Sequence, residues 1–223
     1  HIKRVLDNGA HGVVVPMVCT RQEALDAVAA CLLPPAGTRS VGGALHEEPE
    51  ESPRITVVQA LPKGDRGELA VETMTETGVD AIVPWAAARC VTQWKGERGL
   101  KALSKWRATA REAGKQSRRP RFPEVADAAT SRQVAALLAK ADFAAVLHED
   151  RDYPSEPLAT AELPASGEIV LVVGPEGGVS PEELELFAEA GAKAYRLGRS
   201  VLRTSTAGTA ATALLLGRTG RWS

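Results

Sequence analysis

The stretch "LVVGPEGGVSPEELELFAEAGAKAYRLGRSVLRTSTAGTA", residues 171–210, decides the fold. It begins on the apolar strand "EIVLVVG", breaks at a glycine-rich turn and enters a helix. Ser180, Pro181 and Glu183 fit the N-cap, N1 and N3 positions of a helix start. A short strand, "KAYRLG", leads to a second turn and a last helix, "TSTAGTAATALLLGRTG", expected to begin at Thr204 or Ser205. Gly174, Gly177 and Gly178 allow the backbone to approach a ligand closely. The first turn is not GxGxxG and lacks the GK[ST] of a phosphate loop. Glu176 in mid-turn would repel a phosphate; it suits a ligand with hydroxyls or a positive charge. Arg203 stands just before the last helix, among the hydroxyls of Thr204, Ser205 and Thr206. Two plain β–α connections with a surface arginine would also account for these residues.

Outward from there, strand and helix alternate. "RITVVQAL", "DAIVPWAA" and "DFAAVLHE" are strand-like; "GELAVETMTETG", "GLKALSKWRATAREAGKQSR" and "SRQVAALLAKA" are helix-like. The alternation predicts an α/β domain over residues 54–223, a mostly parallel sheet with helices on both faces. Ligands of such sheets gather at the carboxyl ends of the strands, where both turns and "LHE" lie.

The chain has 223 residues, 44% hydrophobic and 25% charged, with a net charge of −1. That is an ordinary globular mixture and excludes a polycation. The charge is uneven, however. Between Arg89 and Arg121 there are eleven Lys/Arg against two Glu, a block that an anionic partner would fit, as would a solvated helix face. Cys19, Cys31 and Cys90 lack metal-like spacing, and the expectation is a reduced, cytoplasmic protein without a metal. The apolar runs are strand-sized, so no membrane span is expected.

"QALPKGDRGELAVETMTETGVDAIVPWAAARCV", "REAGKQSRR", "LHE", "LVVGPEGGVSPEE" and "LGRSVLRTSTA" resemble, in this order, the SPOUT-class uridine-N3 methyltransferases of 16S ribosomal RNA. The resemblance implies a C-terminal trefoil knot, a homodimer, S-adenosylmethionine as cofactor, and 16S rRNA of the small ribosomal subunit as partner. It implies three cofactor-binding loops: Leu147, His148 and Glu149; Gly174, Glu176, Gly177 and Gly178; and Leu197, Gly198, Ser200, Val201, Leu202 and Arg203. Arg203 would stabilise charge on a uracil oxygen, and Glu176 or a water would take the N3 proton. His148 reads as a hydrogen-bonded structural residue before a general base. N3 lies on the Watson–Crick edge, so the base must be unpaired or extruded. Lys63, Arg66, Arg89, Lys95, Arg107, Arg111, Lys115, Arg118 and Arg119 would meet RNA. "EAGKQSRR" resembles a family signature that draws Gln116, Ser117 and Arg119 nearer the active site.

Residues 1–45 read as helix, strand, helix and loop, where that family carries an RNA-gripping β-barrel related to PUA domains. "IKRVLDNGAHGVVVPMVCTRQEALDAVAACLLPPAGTRSVGGAL" instead resembles a piece of the HpcH/HpaI class II aldolases, which are TIM barrels. The metal-binding acid pair and the catalytic histidine and arginine of those enzymes have no counterpart here, and one and a half β/α units cannot close a barrel. The reading is a fusion: an aldolase-like fragment over residues 1–45, an acidic linker over 46–53, and the methyltransferase domain. A knotted module that binds RNA or cofactor without catalysis is the alternative; an aldolase is a distant third.

Overall fold

The computed structural model describes residues 18–32, 52–149 and 153–222. Contacts divide the chain into residues 1–50 and 51–223. Of the first unit, helix α1 (Arg21–Cys31) is described. Thr20 caps it: its hydroxyl accepts from the Glu23 amide, while the Glu23 carboxylate accepts from the Thr20 amide at 2.9 Å. The first helix, nearly all of the strand, and the loop expected in residues 1–45 lie outside the described residues, as does nearly all of the expected linker.

The second unit runs β1 (Arg54–Ala60), α2 (Arg66–Thr77), β2 (Ala81–Trp85), α3 (Gly96–Gln116), β3 (Glu124–Val125), α4 (Ser131–Leu138), β4 (Phe143–Leu147), β5 (Glu156–Pro157), a 3-10 turn (Leu158–Thr160), β6 (Glu168–Val173), α5 (Pro181–Glu189), β7 (Lys193–Arg196) and α6 (Thr204–Arg218). The seven strands form one sheet in the order β3-β2-β1-β6-β4-β7-β5, and every pairing is parallel. The two-residue edge strands β3 and β5 were not expected; each is too short to carry a period.

Register shows why the central strands are apolar on both sides. Ala60 lies beside Trp85, and the Trp85 ring meets Phe187 of α5 edge-on at 5.3 Å. The Thr56, Val58 and Ala60 side of β1 therefore faces α5. Val57 and Gln59 point the other way, toward Gly208 of α6 and Met74 of α2. Helices thus cover both faces, and β1 reads as a continuous apolar run because neither face meets water. α2 packs against α3 and α6, and α4 against α5.

The capping signals act as the sequence predicts. The Ser180 hydroxyl accepts from the Glu183 amide, Pro181 fills the first turn, and Gly78 closes α2 at φ 120°. Glu183 does more. Its buried carboxylate accepts from the Ser131 hydroxyl at 2.7 Å and the Ala88 amide at 2.8 Å. One side chain thereby locks α5, the start of α4 and the loop after β2 to each other, with every charge-bearing oxygen satisfied.

Candidate cofactor and substrate site

Parallel strands in register bring their carboxyl ends to one edge. Leu147 of β4 lies beside both Val173 of β6 and Tyr195 of β7. The loops leaving these three strands meet around a cavity of about 1010 Å³. The loop after β4 contributes Leu147, His148 and Glu149. The loop after β6 contributes Gly174 and Glu176. The loop after β7 contributes Leu197, Gly198, Ser200, Val201, Leu202 and Arg203. Gly177 and Gly178 stand apart from this lining. A Cβ on Gly177 would meet the Arg89 side chain at 3.2 Å, and the Arg89 guanidinium donates to the Gly177 carbonyl at 3.2 Å. Those glycines admit a basic side chain behind the turn. Gly174 is the crowded one: a Cβ there would stand 2.8 Å from Cγ2 of Val179.

The cavity wall holds an unsatisfied polar atom. His148 is 8% exposed and Nδ1 has no hydrogen-bond partner. The backbone fixes this residue, the His148 amide donating to the Tyr195 carbonyl at 3.0 Å. Its ring lies edge-on to Tyr153 at 4.9 Å. Tyr195 is buried in the same wall; desolvation, then the charge of Glu156, raises its phenol pKa and keeps it neutral. Tyr153, Pro154, Tyr195, Arg66 and Arg199 were not among the residues expected to line a cofactor cavity. Tyr153 had a signal, an aromatic a few residues beyond a strand end that already carried a histidine and a glutamate.

α6 begins at Thr204, with Arg203 as its N-cap. The helix start is held from within the sheet. Gln59 of β1, fully buried, donates to the Thr204 carbonyl at 3.2 Å. Gly208 lets α6 approach β1, since a Cβ there would lie 2.6 Å from Met74 Sδ.

The basic block divides. Arg66 lines the cavity, and the Lys63 amide donates to Glu176 Oε1 at 3.1 Å. Lys95 is the exposed N-cap of α3; Arg111, Gln116 and Arg118 are exposed along its outer face and end. Lys115 pairs with Glu112 at 2.9 Å and Arg107 with Asp127 at 2.9 Å. Arg119 has a structural post. Its guanidinium donates to the carbonyls of Val79 at 2.6 Å and Thr75 at 3.1 Å, satisfying the carboxyl end of α2. Gln116, Ser117 and Arg119 do not line the cavity. Among the described residues no cluster of His, Cys, Asp and Glu could hold a metal, and no helix is long and apolar enough to cross a membrane.

An all-parallel α/β sheet with a cavity built from its carboxyl-end loops defines a small-molecule-binding domain of the open-sheet class. The chain belongs to the RNA methyltransferase domain family, which matches residues 49–216. It is 46% identical over 179 residues to the ribosomal RNA small subunit methyltransferase E of Mycobacterium bovis, covering 78% of this chain and 67% of that protein. It is 32% identical to the protein of the same name from Bacillus subtilis, across 69% of this chain and 62% of that one. The chain thus spans roughly two thirds of these relatives' length. The crystal structure of the Neisseria gonorrhoeae ribosomal RNA small subunit methyltransferase E bound to S-adenosyl methionine superposes with a TM-score of 0.69 at 34% identity, over 76% of this chain and 69% of that one. A separate short match, 59% identical over 44 residues, is to the 4-hydroxy-2-oxo-heptane-1,7-dioate aldolase of Salmonella arizonae; it covers 20% of this chain and 17% of that enzyme.

Proposed function

We propose that the chain is an S-adenosylmethionine-dependent methyltransferase acting on N3 of a uridine in 16S ribosomal RNA. The observation that carries this reading is the convergence of three carboxyl-end loops on one cavity of about 1010 Å³, roughly the size that takes a cofactor. Its chemistry fits the group. S-adenosylmethionine, when bound, supplies a methyl group on a positively charged sulfur and carries no phosphate. The walls offer apolar surface at Leu147, Val173, Leu197, Val201 and Leu202 for an adenine. Glu149 and Glu176 supply negative charge, and the unpartnered His148 Nδ1 offers a hydrogen bond to a ligand.

Arg203 is fixed at the head of α6 by the main chain, and its charge stabilises the uracil oxygen that gains electron density as N3 loses its proton. Glu176, exposed at the cavity rim, takes that proton. Lys63, Arg66, Arg89, Lys95, Arg111, Lys115 and Arg118 form the electropositive approach for the RNA backbone. The same reading includes a trefoil knot, a cytoplasmic location and a homodimer that covers Val201 and Leu202, 71% and 40% exposed at the rim. Residues 1–45 are read as an aldolase-like fragment in place of an RNA-gripping barrel.

Calorimetric titration of the full chain with S-adenosylmethionine tests this. Micromolar binding is expected. Gly174→Val forces the loop after β6 against Val179 and should weaken binding at least tenfold. Arg203→Ala should lower methyl transfer to undermethylated small subunits by about 10²–10³. A folded wild-type protein that ignores the cofactor overturns the proposal. Binding without transfer would mark a module that keeps the pocket without the reaction.

A further inference from the structure

A second, smaller groove of about 560 Å³ adjoins the cavity, lined by Lys63, Gly64, Asp65, Arg66, Leu69 and Glu176. Arg66 and Glu176 belong to both linings, so the two spaces share one wall. The groove is held in shape by its main chain. Leu61 donates to the Trp85 carbonyl at 3.1 Å, the Thr92 hydroxyl donates to the Pro62 carbonyl at 2.8 Å, and the Lys63 amide donates to Glu176 Oε1 at 3.1 Å. The side chains are left over. Among the described residues neither Lys63 nor Arg66 has an ion-pair partner, and the second carboxylate oxygen of Glu176 has no hydrogen-bond donor. Asp65, the other carboxylate here, acts on Lys105, whose pKa is raised first by Glu68 and to a lesser degree by Asp65. Leu69, 46% exposed, adds an apolar surface.

Two cations and a carboxylate with a free oxygen therefore line one groove beside the cavity: Lys63, Arg66 and Glu176. The imide edge of uracil carries the complement, an acceptor at O2, a donor at N3 and an acceptor at O4. Cytosine presents an acceptor at N3 and a donor at N4, which sets lone pair against carboxylate and N–H against cation. We propose that this groove seats the target pyrimidine and selects uracil over cytosine, Glu176 accepting the N3 hydrogen bond while Lys63 and Arg66 donate to the flanking oxygens. The proposal rests on the methyltransferase reading for its setting and adds the residues that identify the substrate base. It also places N3 at the wall shared with the larger cavity.

The test uses short single-stranded RNAs that differ in one central uridine or cytidine, with binding to the full chain read by fluorescence anisotropy at fixed salt. The wild type should prefer the uridine strand by about tenfold or more. Arg66→Met and Glu176→Gln should each bring that preference to within about twofold. Arg111→Met, on the outer face of α3, should weaken both strands alike. Equal wild-type affinity for the two strands, or an unchanged preference in both groove variants, overturns the proposal. Titration with S-adenosylmethionine alone separates the two readings. Base preference without cofactor binding leaves the groove standing and removes the methyltransferase; cofactor binding without base preference does the reverse.

Discussion

At the residue scale, the site depends on where each polar atom finds its partner. Cys90 shows the inert extreme. It is 8% exposed, its thiol points at the Trp85 carbonyl 3.8 Å away, and burial raises its pKa. The native protein should therefore leave Cys90 unmodified by iodoacetamide at mildly alkaline pH, with labelling appearing only as the chain unfolds, as mass spectrometry of its peptide would show. The folded state holds the proton more tightly, so as pH rises past the ordinary thiol value the unfolded chain loses its proton first and stability falls. A Cys90→Ala variant should lose that alkaline decline, measured by denaturant titration across pH. His148 is the opposite case, its Nδ1 without a protein partner on a cavity wall. The sequence placed His148 at a strand end; nothing in its neighbours foretold that one nitrogen would lack a partner, because that depends on a ring 5 residues on and on a strand from another part of the chain.

At the scale of elements, local signals were legible and distant partnerships were not. Ser180 with Pro181 and Glu183 announces a helix start because the donors it satisfies lie within four residues. The partners of Glu183 in α4 and after β2 lie beyond any such window, and Arg119, one of a basic run, turned out to be bonded to the end of α2. Charge alone does not say which arginine faces solvent. The glycine-rich turn was readable as a turn, but Gly177 and Gly178 accommodate Arg89, whereas Gly174 borders the cavity. The α2–α3 contact supplies a sharp test. Gly67 is the second residue of α2, where alanine ordinarily gains up to about 1 kcal/mol of helix propensity. Here a Cβ would stand 2.7 Å from the ring of Trp106, itself 2% exposed and packed edge-on to Trp94. Gly67→Ala should therefore destabilise by about 1–3 kcal/mol, against the propensity, and thermal melting would show the sign.

At the scale of the molecule, the carboxyl-terminal segment is bound to the first strands. Arg221 donates to Asp80 at 2.6 and 3.1 Å and to the Pro53 carbonyl at 3.1 Å. Asp80 also accepts from the Ile55 amide at 2.7 Å. The two side chains are 5% and 18% exposed, so removing the carboxylate strands a buried cation. Asp80→Ala should cost about 3 kcal/mol, a fall in melting temperature of about 6–12 °C by calorimetry. The overall α/β alternation over residues 54–223 was plain from the sequence, since strand-like β-branched runs and helix-like runs follow one another along it. The strand order was not, because it depends on pairings between segments far apart.

The pairing of β1 with β6 has a further consequence. Thr56 bonds Glu168, 112 residues on, and the register between those strands forms the middle of the sheet. A nascent chain that has emerged as far as β5 therefore has β1 exposed along one margin and no neighbour for β4. At about 5–20 residues per second, the 112 residues from Thr56 to Glu168 take roughly 6–22 seconds to make, and β1 waits that long for its central partner. The middle of the sheet therefore closes late in synthesis, after the β1–β2–β3 side has already been made.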